Sequence, residues 1–151
     1  MVYYFKGVID LNNDQLKLEN QLCFPLYASA KEVVKRYKPY LDEIGLTYTQ
    51  YLAMMVLWEH KTINVKKMGE YLYLDSGTLT PLLKRLESIE LIERNRDPND
   101  ERNVIIKLTP KGESLKKPAS QIPDKVKECL PITQEEIITL YHILYKLLGT
   151  K

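Results

Sequence analysis

Three groups of residues in this chain have types and spacings that could do chemistry. Cys23 and Tyr27 are four residues apart and share a face if the segment is helical. A phenol hydroxyl aimed at a sulfur can hydrogen-bond and stabilise a thiolate, the species that a peroxide oxidises to sulfenic acid. Beside Leu22 and Phe24, Cys23 is equally readable as a small core hydrophobe with Tyr27 as packing. The second group is Ser76, Gly77, Thr78 and Thr80, followed by Lys84 and Arg85. Hydroxyls in the first turns of a helix can donate to phosphates or base edges, and the helix N-terminus attracts anions. The third is Arg94, Arg96 and Arg102 around an acidic turn, with Asp100 placed to orient Arg102. Arginine suits phosphate forks and narrow minor grooves. Each group also has a plain reading: Ser and Thr cap helices, and charged hairpins are solvated. Residues 61–107 carry nine Lys or Arg against eight Asp or Glu, so charge alone does not argue for nucleic acid.

The elements that must position these residues follow from periodicity and punctuation. Apolar spacing predicts a helix from Leu16 to Tyr37, kinked or shortened at Pro25 and closed by Pro39 and Gly45. Thr47 to Gln50 fits a capping box, and the helix after it, through Trp58, is apolar nearly all round. Asn64 caps a short helix through Leu72, and Asp75 caps another with Leu79, Leu82, Leu83, Leu86 and Ile89 on one side. Leu91–Arg96 and Asn103–Leu108 read as strands joined by the turn at Asp97–Asp100. Thr109-Pro110 opens a helical stretch interrupted by Pro118 and Pro123. Thr133–Glu136 is a capping box for a last helix bearing Ile137, Leu140, Leu144 and Leu147 on one face. Three compact helices followed by a hairpin describe a mainly α winged helix-turn-helix. The outer helices carry apolar stripes that this small domain cannot cover alone, which a partner subunit would explain. The expected organisation is an N-terminal arm over 1–15, a helical dimerisation region over 16–46 and 110–151, and a winged helix-turn-helix over 47–109.

Bulk properties set the limits. The 151 residues suffice for one domain, and 44% hydrophobic with 28% charged residues excludes disorder. A net charge of +2 means that any nucleic-acid affinity comes from local placement of charge. No stretch has the ~18 to 20 apolar residues needed to span a bilayer, and the first residues do not read as a signal peptide. Two cysteines are too few for a disulfide scaffold, so the expected compartment is the cytoplasm. His60 and His142, without ligand-spaced cysteines, make no zinc site, and no phosphate-binding glycine loop is present. Neither a metal nor a cofactor is expected.

A resemblance sharpens this picture. Asp100-Glu-Arg102-Asn-Val-Ile-Ile-Lys-Leu108-Thr109 resembles the wing signature of the MarR family of dimeric winged-helix regulators. Leu74-Asp-Ser-Gly-Thr-Leu-Thr-Pro-Leu-Leu-Lys-Arg85 resembles the recognition helix of one branch, the organic hydroperoxide resistance regulators. Leu18-Glu-Asn-Gln-Leu-Cys23-Phe-Pro-Leu-Tyr27 resembles the sensing helix of that same branch. The likeness spans roughly residues 16–148. It implies an obligate homodimer through the N- and C-terminal helices, with two recognition helices in successive major grooves of a pseudo-palindromic operator. It further implies that Cys23 is the peroxide-reactive thiol, with Tyr27, Tyr37 and Tyr48 hydrogen-bonding around it. Cys129, before Pro131, matches the place of a second cysteine that in some members captures the sulfenic acid across the dimer. Fourteen residues of continuous helix are about 21 Å long, so Tyr37 must reach Cys23 from the other subunit unless the helix bends sharply.

The expected function is a non-enzymatic repressor that senses organic hydroperoxides through Cys23, is locked by Cys129 of the other chain, and releases double-stranded operator DNA. No membrane partner is expected. Two alternatives stand beside it: a MarR-type repressor released by a small phenolic ligand, and a thiol peroxidase. An adaptor that uses the winged helix to bind protein is a further reading.

Overall fold

The computed structural model describes residues 16–98 and 100–149, and of Glu101 and Arg102 the backbone only. The arm expected over residues 1–15 lies outside the described residues. After a 3-10 turn at Leu18–Asn20, the helices α1 (Cys23–Glu43) and α2 (Tyr48–His60) pack together. A short strand, β1 (Thr62–Asn64), leads into α3 (Val65–Leu72) and α4 (Ser76–Ser88). The hairpin β2 (Ile92–Asp97) and β3 (Asp100–Leu108) follows, then the broken helical run α5 (Pro110–Ser114), α6 (Lys116–Ala119) and α7 (Ile122–Glu128). The described chain ends with α8 (Gln134–Leu147). No helix among the described residues is long and apolar enough to cross a membrane.

Local chemistry sets most of these boundaries. Thr47 and Gln50 close their capping box at 2.9 and 3.4 Å, and Thr133 and Glu136 close theirs at 2.7 and 3.3 Å. Asn64 accepts from the Lys67 amide at 2.7 Å. Thr109 accepts from the Gly112 amide at 3.0 Å, with Pro110 at the first helical position. Pro118 and Pro123 lie in the first turns of α6 and α7, so the C-terminal run restarts just before each of them.

The first long helix is shortened at its start, as Pro25 suggests: it begins at Cys23, so Pro25 sits in the first turn, where its missing N–H has no intrahelical bond to lose. Pro39 does not close the helix but lies inside it, and α1 continues to Glu43. Pro39 is exposed and costs the helix one amide donor. The turns around it are held by burial of Leu41 and by Tyr37, Tyr40 and Ile44 packed against the core. Gly45 then ends the segment at φ +69°.

The sheet has the antiparallel order β1-β3-β2, with Ile63 and Arg94 flanking Ile106 on its two sides. β1 was not anticipated, because three residues are too short to show a period of two. Ile92 and Ile106 close the sheet over Met54, Met68, Leu79 and Leu83, all essentially buried. Gly69 allows α3 to approach the α3–α4 link: a Cβ there would lie 2.6 Å from the Leu74 carbonyl oxygen. This tight corner sets the angle at which α4 leaves the core.

Candidate DNA-reading surface and thiol site

The α4 N-terminus is built by Asp75, whose carboxylate accepts from the Thr78 amide at 2.8 Å and from the Thr78 hydroxyl at 3.2 Å. The Thr80 hydroxyl donates back to the Ser76 carbonyl at 2.7 Å. Both threonine protons are thus used within the helix, and the oxygens outward of them are left to accept. Ser76, Gly77, Thr78 and Thr80 are all exposed, as are Lys84 and Arg85 further along, while Leu79, Leu83 and Leu86 bury the opposite face. The helix therefore presents one continuous polar face.

Hydrogen bonds to the Asp75 carboxylate, the Thr78 amide first and its hydroxyl second, hold its pKa below the ordinary value. A depressed folded pKa contributes stability above the unfolded carboxylate range, lost as pH falls through the folded value. Acid titration of helicity will therefore show α4 loosening below the ordinary carboxylate range. In Asp75→Asn this contribution to the acid transition will be absent.

The wing arginines divide. Arg94 is drawn inward: its side chain is only 20% exposed and pairs with Glu87 of α4 at 3.3 Å, tying the hairpin to α4. Arg96 is exposed on the same strand. Asp100 accepts from the Asn103 side chain at 3.2 Å. The Arg102 side chain, and with it the expected Asp100–Arg102 pair, lies outside the described residues. Between α3, α4 and the wing runs a cleft of about 590 Å³ lined in part by Lys66, Tyr73, Ser76, Thr80, Arg94 and Asn103. Lys66, Tyr73 and Asn103 were not singled out in sequence. They come from three separate elements, and no local pattern marks their convergence.

Cys23 opens α1 and is exposed, and Tyr27, one turn on, is exposed as well. Tyr37 and Tyr48 lie elsewhere, half-buried between α1 and α2 with ring centroids 5.0 Å apart in an edge-to-face contact. Tyr51, read from sequence only as part of the apolar helix, completes this group at 6.0 and 6.5 Å from the two. Burial pushes all three phenols up, the Tyr51 group to about 12, with the neighbouring tyrosines adding to the shift on Tyr37 and Tyr51. They are therefore neutral at physiological pH, with hydroxyls available to donate. Because α1 is unbroken from Cys23 to Glu43, Tyr37 stands about 21 Å along the axis from Cys23 of its own chain.

Cys129 caps α7 in the link to α8, exposed as a free thiol. Its carbonyl accepts from the Arg36 guanidinium. The nearness of Cys129 first, and burial second, raise the Tyr40 pKa, with Glu128 and Glu43 contributing less. Arg36 is thirteen residues after Cys23, about 20 Å along the same helix, so Cys129 and Cys23 of one chain are far apart. Neither Arg36 nor Tyr40 was anticipated, since the contact joins residues 93 apart in sequence.

No group of His, Cys, Asp and Glu among the described residues could hold a metal ion. A second cleft, of about 580 Å³ between α1 and α2, is lined in part by Tyr27, Lys31, Val34, Lys38, Leu46 and Tyr48.

Comparison with known proteins agrees with this arrangement. Residues 35–118 match the family model described as transcriptional regulator SarA/Rot. The chain is 55% identical over 137 residues to the organic hydroperoxide resistance transcriptional regulator of Bacillus subtilis, covering 91% of this chain and 93% of that one. It superposes with a TM-score of 0.74 and 34% identity on reduced AbfR bound to DNA, over 90% of this chain and 94% of that one; AbfR is a protein of Staphylococcus epidermidis that has also been seen in overoxidised and disulfide-formed states. It is similar as well to a variant of MarR from E. coli complexed with operator DNA, with a TM-score of 0.74 and 26% identity over 84% of this chain and 93% of that one. With a three-stranded winged helix-turn-helix and relatives that are transcriptional regulators, the chain belongs to the MarR family of DNA-binding regulators, in the branch of the organic hydroperoxide resistance regulators.

Proposed function

We propose that this protein is a homodimeric repressor that releases operator DNA when an organic hydroperoxide oxidises Cys23. The observation that carries the reading is the unbroken helix from Cys23 to Glu43. It separates Cys23 from its own Tyr37, Tyr48 and Cys129, so these groups assemble around one sulfur only if they come from two chains. A single docking serves both requirements. If Tyr37 of one protomer meets Cys23 of the other, Cys129 comes with it, because Arg36 and Tyr40 flank Tyr37 and hold Cys129 beside that same stretch of α1.

A dimer also explains the uncovered apolar surface. Leu22 is 67% exposed, Leu147 62% and Tyr141 56%, and α8 has no buried residue. A 14-residue helix is marginal in water by itself. Packing residues 16–46 and 110–151 against a second copy would cover these faces and leave residues 47–109 as the DNA-reading part. Ser76, Gly77, Thr78, Thr80, Lys84, Arg85, Arg96, Asp100 and Arg102 would face DNA, with Arg94 holding the wing to α4.

The chemistry balances in two steps. The Cys23 thiolate attacks the terminal peroxide oxygen, giving sulfenic acid and an alkoxide that takes a proton to become the alcohol. The Cys129 sulfur of the other chain then attacks the Cys23 sulfur, the S–S bond forms, and the hydroxyl leaves as water. Disulfide-formed AbfR supports this second step. Going from mostly bound to mostly free takes a differential of about 5.5 kcal/mol between the two states, which a cross-link across a packed interface can supply.

Non-reducing electrophoresis after cumene hydroperoxide tests the assignment. A band of twice the chain mass is expected in the native protein and absent in Cys129→Ser. A monomer band in both would overturn the cross-link. The α1–α2 cleft favours one competing reading, release by a small phenolic ligand. Salicylate releasing DNA from a cysteine-free variant would support it instead.

A further inference from the structure

Cys129 is held more firmly than its place in a surface link requires. Arg36 and Tyr40 are four residues apart and share one face of α1. The Arg36 Nη1 donates to the Cys129 carbonyl. Since Cys129 caps α7, the guanidinium meets the negative end of that helix, where the last carbonyls lack intrahelical partners. The Arg36 Nε is buried without a hydrogen-bond partner, so the group gives up solvation to sit there. Tyr40, one turn on from Arg36, stands beside the same end of α7: the Lys125 ammonium of α7 lies 5.4 Å from its ring centroid, tying the ring to the helix that Cys129 caps. Two side chains from one turn of α1 thus hold the end of α7 that carries Cys129.

We propose that Arg36 and Tyr40 are positioning residues for Cys129, holding its sulfur where it attacks the oxidised Cys23 of the other protomer. This rests on the disulfide reading above. A held nucleophile reacts at a far higher effective concentration than a swinging one. The second function of the grip is protection. A sulfenic acid that waits meets a second organic hydroperoxide, which transfers another oxygen and leaves sulfinic acid and an alcohol. That product is not recovered by thiols. Rapid capture by Cys129 keeps the sensor reversible, so Arg36 and Tyr40 decide how the oxidation is partitioned.

The experiment uses the full-length protein treated with one or several equivalents of cumene hydroperoxide, then quenched with an alkylating reagent. Loss of free Cys23 thiol, cross-linked dimer and Cys23 sulfinic acid are followed separately by mass spectrometry. In Tyr40→Phe and Arg36→Gln, first oxidation of Cys23 proceeds at the native rate, capture slows roughly 10-fold, and sulfinic acid accumulates in proportion. Arg36→Lys, which keeps the charge but loses the planar fork, recovers part of the capture rate. Native capture rates in Tyr40→Phe and Arg36→Gln overturn the proposal. If the native protein forms no cross-link, the disulfide reading falls instead. Alkylation of Cys129 in a Cys23→Ser background then still decides the grip: a rate unaltered by both substitutions shows that neither residue positions the thiol.

Discussion

Cys23→Ser will bind DNA as the native reduced protein does and will not let go when peroxide is added. In a mobility-shift titration on a fragment selected by the reduced protein, cumene hydroperoxide should weaken native binding at least ~100-fold, or about 2.7 kcal/mol. The serine variant should change less than ~2-fold. The reason is chemical: a hydroxyl is close in size to a thiol, but its oxygen is not oxidised by a hydroperoxide. The structure adds that the substitution is harmless to the fold, because Cys23 is exposed in the first turn of α1 and fills no core position. Peroxide-induced release from Cys23→Ser would remove Cys23 from the mechanism and turn attention to the cleft between α1 and α2.

Gly112→Ala will lower stability by about 3 kcal/mol, the upper end of what overpacking ordinarily costs. A Cβ at Gly112 would stand 2.2 Å from the Leu91 carbonyl oxygen and 2.7 Å from the Leu108 Cδ1. The first of these is backbone and cannot rotate away. The same carbonyl accepts from the Thr109 amide at 3.2 Å, and the Gly112 carbonyl accepts from the Trp58 indole at 2.9 Å. Any shift therefore strains the joint where both hairpin strands, α2 and α5 meet. Thermal melting at fixed protein concentration, to hold any association constant, should show a fall of roughly 10 °C for a chain of this length. A melting point within a degree or two of native would show that the joint yields freely. Because this joint fixes the wing against the helices, weakened DNA binding should accompany the loss.

The helix starts were legible residue by residue. Thr47, Asn64, Asp75, Thr109 and Thr133 each accept the amide bond that their sequence context announces. Capping is a matter of three or four neighbouring residues, and so a sequence shows it. The hairpin was legible for the same reason, since alternation and a turn at Asp97-Pro98 are local. β1 was not, because three residues reveal a strand only through their pairing with β3. Pro39 misled because the helix end that proline favours locally is overruled by burial of Leu41 and the packing of Tyr40 and Ile44.

The candidate site residues show the same division. Sequence alone determined that Cys23 and Tyr27 share a turn, that a capped helix presents Ser76, Thr78 and Thr80, and that a hairpin bearing Arg94, Arg96 and Arg102 follows. All of these lie within a few residues of one another, where backbone geometry leaves little choice. Only the tertiary structure decided that Tyr37 packs on Tyr48 and Tyr51, that Arg94 turns inward to Glu87, and that Arg36 meets the Cys129 carbonyl while Tyr40 meets Lys125 of α7. Each of these contacts joins two different elements. They depend on how helices and strands pack, which is settled by the shape of the whole core and is written in no single stretch of chain.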